Sequence, residues 1–514
     1  MTIAAAPEGS RTRSLSVLVP VYNEQHLVVS SLTRVAALAD SPLLERLEII
    51  VVDDCSTDAT AQVLAGFAAE RQRSPVPRLT WRFERHATNQ GKGAAVRTAL
   101  AFATGQVSVI HDADLEYHPK DLLRIVQVFV DEDADAVFGS RFAGGEVRRV
   151  LMYRHELGNR LLTFLCNLVS NLNLTDMETC YKAVRTELLQ SIPIVSNDFR
   201  LEPELAIKLA KRHARLFEVP ISYSGRTYQE GKKINWRDGI KALGAIARFA
   251  ISDRIYQPDA YGSQILARLG RAPRFTDWMA DVVRPYCGNR VLEIGGGLGN
   301  LTLRLLPRWT FVVSDINPVY LQTLQSLRAE RPYLGVQYCD VSRLETFPNQ
   351  PDGYDTVICL NMVEHVADDA AALANIRSVL AADGRAIILV PNGPWNFGTL
   401  DQVLGHHRRY TAATLTALTE RCGFEVERLL RFNRVGTIAW FLNGRLLRRR
   451  SFSLLQIMLL NWIVPLMRAV DGILPVPPLS LIAILRPGPA RRRQPNGLWP
   501  ARPADESAAI QAEP

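Results

Sequence analysis

The sequence predicts an α/β protein of two domains, each built on a mainly parallel sheet. Three observations predict it. A chain of 514 residues is longer than one ordinary hydrophobic core organises. Short β-rich runs alternate with amphipathic helical stretches, the pattern of helices laid on a parallel sheet. The pattern then starts over near residue 290, where a strand runs into glycines in VLEIGGGLGN, residues 291–300.

Bulk composition narrows the class. Hydrophobic content of 47% with 22% charged residues is ordinary globular composition, so most of the chain is expected to fold. The excess of 60 Lys+Arg over 52 Asp+Glu is concentrated at Arg445, Arg448–Arg450 and Arg491–Arg493. No basic stripe with interleaved aromatics accompanies it, so nucleic acid is not expected as a partner. Seven scattered cysteines without a CxxC pair read as reduced, structural thiols of a cytoplasmic protein. MTIAAAPEGSRTRS lacks the apolar stretch of a signal peptide. No window reaches the ~18 uncharged apolar residues of a spanning helix. The nearest, Phe452–Met467, follows the arginine run. It can lie peripherally on the cytoplasmic face of a membrane or be a buried helix of the second domain.

In the first half the strand candidates are LSVLVPV, LEIIVVDD, LTWRFE, VSVIHDAD and DAVFGSR, with helical DATAQVLAGFAAERQ and GKGAAVRTALAFA between them. WRDGIKALGAIARFAISDRIY closes this half as a long helix, and QPDAYGS has the turn residues of a linker. The second half repeats the grammar with NRVLEIGGG, WTFVVSD, VQYCD, DTVICLN and RAIILVPN, finishing near SLIAILRP. The expected domains are 14–255 and 256–487, followed by a disordered Pro-, Arg- and Ala-rich tail, 488–514.

The densest chemistry in the first half is HDADLEYHP. Asp112 and Asp114 stand at the carboxyl end of a hydrophobic strand, where open α/β sheets bind ligands. Two carboxylates at i and i+2 suit a hard cation such as Mg²⁺ or Mn²⁺, which bridges to phosphates. Pro20-Val21-Tyr22-Asn23-Glu24 ends the first strand, and Val52 to Asp58 (VDDCSTD) ends the second. Asn89-Gln90-Gly91-Lys92-Gly93 opens a helix, and Phe138 to Phe142 (FGSRF) follows another strand. The lysine turn lacks Walker A spacing, so an ATPase is not expected. Asp58 reads as a helix cap. Together these motifs resemble the family 2 glycosyltransferases, in particular dolichyl- or polyprenyl-phosphate mannose and glucose synthases.

That resemblance, over roughly residues 14–250, implies a GT-A fold and inverting transfer from a GDP- or UDP-sugar. It implies Pro20, Tyr22, Glu24, Asp53 and Asp54 on the donor's nucleoside side, Lys92 at the diphosphate, and Asp112 and Asp114 on the metal. It also implies a lipid-phosphate acceptor engaged by the loop Arg226 to Lys233 (RTYQEGKK), with Arg226 and Lys232 at the reacting groups. A lipid phosphate is already ionised and needs cations rather than a base. A sugar hydroxyl would instead need a general base, for which Glu202 and Asp176 are the candidates. Asp176 to Lys182 (DMETCYK) has Thr-Cys-Tyr where many relatives have Thr-Gly-Phe, which leaves the role of Glu178 open.

In the second half, a dinucleotide fold would want glycine at 300, and Asn300 stands there. The spacing present is Glu293-x-Gly295-x-Gly297-x-Gly299. With Asp315 at the end of TFVVSD and Asp340 in QYCDV, it resembles class I S-adenosylmethionine-dependent methyltransferases over roughly residues 265–486. The resemblance implies a Rossmann-like fold and S-adenosyl-L-methionine as cofactor. The glycines would face its methionine and ribose parts, with Asp315 on the ribose, Asp340 on the adenine side, and Asn361 ending the strand that completes the pocket. Asn361, Glu364 and His365 fall at i, i+3 and i+4, the spacing of one helix face. The EHV stretch resembles that of quinone-biosynthesis O-methyltransferases, where a Glu-His pair can bind a divalent ion. Asn361 stands where an acid would be expected, and His365 is read as satisfied by a neighbour. His406 and His407 are candidates for the acceptor pocket or for a surface helix entry.

Overall fold

The computed structural model describes residues 13–144, 149, 153–226, 236–252, 254–257, 270–328, 331–449 and 452–488. Lys232, Lys233, most of the expected linker and the tail from residue 489 lie outside the described residues.

The two expected α/β units are present as two seven-stranded sheets that share no strand. The first uses β1 (Ser14–Val21), β2 (Arg46–Asp53), β3 (Leu79–Arg85), β4 (Val107–Ile110), β5 (Ala136–Ser140), β6 (Lys182–Arg185) and β7 (Leu216–Pro220). Their order is β3-β2-β1-β4-β6-β5-β7. All neighbours are parallel except β6, which runs antiparallel to both β4 and β5. Burial explains the composition of the central strands: β1 and β4 are buried along almost their whole length and rich in Val, Leu and Ile, as in a sheet covered on both faces. Register brings the strand ends together. Val21 lies level with Asp53, Asp53 with Arg85, and Leu18 with Ile110.

The second sheet uses β8 (Arg290–Ile294), β9 (Thr310–Asp315), β10 (Leu334–Tyr338), β11 (Tyr354–Leu360), β12 (Leu380–Pro391), β13 (Phe424–Phe432) and β14 (Ser480–Pro487). Its order is β10-β9-β8-β11-β12-β14-β13, with β14 antiparallel to both its neighbours. The order reverses beside β8, and its glycine turn therefore opens at a topological switch point, where such sheets take ligands.

The apolar segment after the arginine run is a helix, Leu454–Val470, capped by Ser453 and Gln456 and carrying Pro465 inside it. One side of it packs as a helix of the second unit, and the other faces outward. Ile457, Val464 and Met467 are buried and join the core near Trp278, whereas Leu455, Met458, Leu459, Trp462 and Leu466 are exposed. No helix among the described residues is long and apolar enough to cross a membrane.

Candidate active sites

β4 is buried throughout, and His111, just past its end, still pairs with β1 by donating its amide to the Leu18 carbonyl at 2.9 Å. The His111 ring lies 3.0 Å from both Ser31 Oγ and Tyr181 Oη. Burial, partly offset by Asp112, pushes its pKa down to about 4, so it is neutral. The chain then leaves the sheet, which puts Asp112 and Asp114 at its carboxyl edge.

Asp112 accepts from Lys92 Nζ at 3.0 Å, and Asp114 accepts from Arg226 Nη2 at 3.0 Å. Arg226 also lies 3.3 Å from Glu116 Oε1 and 3.8 Å from Glu24 Oε1. Glu24, Asp112, Asp114 and Glu116 thus converge around two cations. Burial first, and then the charges of Asp112 and Glu116, raise Asp114 to about 7, with Arg226 opposing. For Asp112 burial acts upward too, but Lys92 outweighs it and the carboxyl stays below its ordinary range.

The Lys92 turn is built by Asp54. That carboxylate accepts from Gln90 N at 2.9 Å, from Gly91 N at 2.6 Å, and lies 2.6 Å from His86 Nδ1. Gly91 has φ +95°, and a side chain there would run into the Asn197 backbone. Lys92 begins the helix Lys92–Leu100 and turns its ammonium inward between Asp112 and Glu202 Oε1, the latter also at 3.0 Å. The other Glu202 oxygen takes Lys182 Nζ at 2.7 Å. Burial works against the Lys92 charge, but Asp112 foremost, with Glu202, holds its pKa well above the usual lysine value. Asp53 is buried and accepts from Ser56 N at 3.0 Å, with Arg85 Nε 3.1 Å from its second oxygen. Asp58, expected as the helix cap, stands one residue before the N-cap Ala59 and braces the helix start by accepting from Thr60 N at 2.9 Å. Pro20 is half-buried and Tyr22 is exposed at the same strand end.

Neither candidate base stands free. Asp176 receives the Arg141 guanidinium at 2.6 and 2.8 Å and Asn159 Nδ2 at 3.0 Å. Glu202 is clamped by two lysines. Glu178 differs: one of its oxygens is buried without a hydrogen-bond partner, and burial, then Glu202, raises it to about 7.

In the second sheet, Gly295, Gly297 and Gly299 all have positive φ, and a Cβ on Gly295 would strike Met362. Asp315 accepts from Gly297 N and from Asn317 N, both at 2.9 Å, so it braces the glycine turn from inside. Glu293 accepts from Thr302 Oγ1 at 2.6 Å, and burial raises it to about 7. Asp340 accepts from Ser342 N at 3.0 Å and Ser342 Oγ at 2.6 Å. The expected helix face is not formed. Asn361 is exposed and left-handed at φ +54°, and Val363–His365 is a single 3-10 turn. Asn361, Glu364 and His365 therefore do not share a helix face.

The family model described as glycosyl transferase family 2 matches residues 16–192, and that described as methyltransferase domain matches residues 292–386. The chain carries a family 2 glycosyltransferase domain followed by a methyltransferase domain. Both are transferase domains. An uncharacterized protein of Methanocaldococcus jannaschii is 28% identical over 233 residues, 44% of this chain and 88% of the relative. The undecaprenyl-phosphate 4-deoxy-4-formamido-L-arabinose transferase of Edwardsiella ictaluri is 28% identical over 218 residues, 42% of this chain and 62% of the relative. A solved structure, glucosyl-3-phosphoglycerate synthase from Mycobacterium tuberculosis with Mn²⁺, uridine diphosphate and phosphoglyceric acid, is similar at 20% identity. It covers 48% of this chain and 81% of that chain, with a TM-score of 0.36.

In the glycosyltransferase domain the fold gathers Glu24, Lys92, Asp112, Asp114 and Arg226 at one sheet edge. Asp54 stands behind them as the support of the lysine turn. Sequence reasoning passed over Glu116, although the alternation Asp112, Asp114, Glu116 displays it. It also missed the Lys182–Glu202 pair, for which no local signal exists because the partners come from different elements. In the methyltransferase domain it left His406 undecided; His406 faces Glu364 Oε1 at 4.0 Å.

Proposed function

We propose that the glycosyltransferase domain transfers a hexose from a GDP- or UDP-sugar to a polyprenyl phosphate, with inversion and with a divalent metal. The observation that carries this reading is the convergence of Asp112, Asp114, Glu116 and Glu24 on Arg226 and Lys92. Four carboxylates with two cations, and Asp114 raised to about 7, make a donor set that a hard divalent ion would relieve. Asp112 and Asp114 would hold Mg²⁺ or Mn²⁺, which neutralises a leaving diphosphate. Lys92 fixes Asp112 in place. With those carboxylates holding the ion, Arg226 would be available to pair with phosphate, the role the resemblance also implies for Lys232. A phosphate oxygen forms the new bond to C1 as the bond from C1 to the diphosphate breaks on the opposite face. No proton need be removed from that nucleophile, in keeping with Asp176 and Glu202 being tied up in ion pairs. The Edwardsiella relative, named as an undecaprenyl-phosphate sugar transferase, supports the acceptor class.

Glu178 favours a second reading. A buried carboxyl near pKa 7 with an unpartnered oxygen suits a general base for a sugar hydroxyl. Beside a phosphate, the same group is tolerated because half of it is neutral at pH 7. A panel of labelled nucleotide sugars with Mg²⁺ or Mn²⁺, scored for label extracted into butanol with polyprenyl phosphate, separates the two. Transfer that persists in Glu178→Gln supports the phosphate acceptor, and its collapse supports the hydroxyl.

The methyltransferase domain is read as using S-adenosyl-L-methionine. The reading is supported by the tight positive-φ glycine turn at the switch point, packed so closely that a Cβ on Gly295 would meet Met362, with Asp315 at the adjoining strand end for the ribose. When bound, the cofactor supplies an electrophilic methyl group, and the chain's task is alignment of the acceptor. A thermal shift with S-adenosylmethionine that disappears in Gly295→Val tests this. Peripheral membrane contact, the third part of the reading, is supported by exposed apolar rows on two helices, Tyr153–Ser170 and Leu454–Val470.

A further inference from the structure

Glu364, His365 and His406 bring one ligand atom each to within 4.8 Å of one another. Glu364 is completely buried, and neither of its carboxylate oxygens has a hydrogen-bond partner. A buried carboxylate left bare is costly unless something positive belongs beside it. Both imidazoles bring a nitrogen within 4.8 Å of it, and their rings meet edge to face at 4.8 Å between centroids.

His406 is held for the task. Its Nδ1 lies 2.9 Å from Asp401 Oδ1, which leaves Nε2 directed at Glu364 Oε1, 4.0 Å away. A carboxylate behind an imidazole fixes its tautomer and raises its basicity, the usual support of a metal-binding histidine. Asp401 is itself fixed by Arg409 Nε at 2.8 Å and Trp440 Nε1 at 3.1 Å. The loop is pinned to the other ligand as well, because His407 donates its amide to the Glu364 carbonyl at 2.8 Å.

We propose that Glu364, His365 and His406 form a binding site for a divalent transition-metal ion of the zinc class, at the carboxyl end of β11 in the methyltransferase domain. Two nitrogens and one oxygen favour such an ion over Mg²⁺ or Ca²⁺. In a tetrahedral site with bonds of ~2.0–2.1 Å, ligand atoms stand about 3.3 Å apart. Small side-chain rotations bring the three atoms to that spacing. Three protein ligands leave a fourth position open. The site adjoins the glycine turn, since Met362, two residues before Glu364, fills the space that a Cβ on Gly295 would need. An acceptor oxygen bound in the open position would therefore be presented next to the cofactor. Its proton would be lost more readily there. The ligand set is not completed at residue 361, where an exposed Asn361 stands; its third member is His406, more than forty residues on.

The ion site stands independently of methyl transfer, and its test reads metal binding alone. The full chain is titrated with Co²⁺, followed by visible absorption and by displacement with Zn²⁺. The expected result is a band of low-symmetry, nitrogen-containing Co²⁺ that Zn²⁺ removes. The band persists in Asp112→Asn/Asp114→Asn, which excludes the glycosyltransferase carboxylates as its source. Its affinity falls at least tenfold in His406→Ala and in Glu364→Gln. Glu364→Gln exchanges a bare buried carboxylate for an isosteric amide and keeps the test readable if His406→Ala fails to fold. No such band in the wild-type chain, or an unchanged band in Glu364→Gln, overturns the proposal.

Discussion

Arg226 and Asp114 meet at 3.0 Å, so the second carboxylate of the strand-end pair is neutralised by a residue more than a hundred positions away. The arrangement couples the sheet edge to the segment that leads into the basic loop. If Arg226 turns to phosphate when the carboxylates take an ion, its loss removes charge stabilisation from the leaving or attacking phosphate. Arg226→Gln is expected to lower the rate of sugar transfer by ~10²–10³-fold. Arg226→Lys is expected to recover little of it, because a point charge does not replace a planar fork. Steady-state transfer assays with saturating nucleotide sugar check both, with circular dichroism as the folding control.

Lys182 is fully buried and its ammonium bonds Glu202 at 2.7 Å and the Met177 carbonyl at 2.7 Å. Removing one partner leaves the other buried and less well compensated. Lys182→Met is therefore expected to destabilise the glycosyltransferase domain by about 3–5 kcal/mol. The double variant Lys182→Met/Glu202→Leu is expected to regain at least half of that, since Lys92 keeps Asp112. Urea unfolding of the three proteins measures it. A double variant no better than the single one would mean that lost packing, not stranded charge, is the cost.

Burial raises Glu293 from 4.5 to about 7. The native state holds this proton more firmly than the unfolded chain does. The stabilising contribution is thus complete below pH 4.5 and lost as pH rises through 7. Its size is roughly 3 kcal/mol at one unit per 1.36 kcal/mol. Glu293→Gln keeps an acceptor for the Thr302 hydroxyl and has nothing to titrate. Unfolding free energies measured between pH 5 and 8 are expected to fall less steeply in the variant, by up to about that amount.

What the sequence made legible followed from periodicity and local motifs. Strand runs such as VSVI and TFVVSD, and the glycine spacing after Glu293, show their structural role within ten residues. Both sheets and the Asp112–Asp114 edge were accordingly readable. What was not readable comes from contacts between distant segments. Lys92 is near the surface in sequence terms, at the start of a helix after a glycine turn. The fold bends it inward to Asp112 and Glu202. Asp54 resembles a ligand carboxylate, yet its oxygens are taken by the amides of residues 90 and 91. The i, i+3, i+4 reading of Asn361, Glu364 and His365 failed because the left-handed backbone at Asn361 breaks the helix it assumed. His406 joins Glu364 only through the loop closed by Asp401 and Arg409.

The helix Tyr153–Ser170 exposes Tyr153, Leu157, Leu161, Phe164 and Leu168 in steps of three and four residues, with Leu168 70% exposed. That is a continuous apolar row along one helix face. A solvated helix would carry polar residues there, and a row of this kind is a contact surface. A polyprenyl phosphate has its tail in a bilayer, so an enzyme that takes its headgroup gains from lying on that bilayer. Each leucine buried in the acyl boundary contributes about 1.5–3 kcal/mol when fully covered, and half-covered side chains give correspondingly less. Leu161→Glu/Leu168→Glu is expected to lower binding to liposomes at least tenfold. Stability should change little, because both side chains already face solvent. The same paired substitution at Leu455 and Leu459, on the methyltransferase helix, asks whether that row contributes. Flotation of the full chain with liposomes of neutral and anionic composition measures all three proteins. Equal flotation of the Leu161→Glu/Leu168→Glu variant and the wild type would remove the membrane from the reading and leave the row to a protein partner.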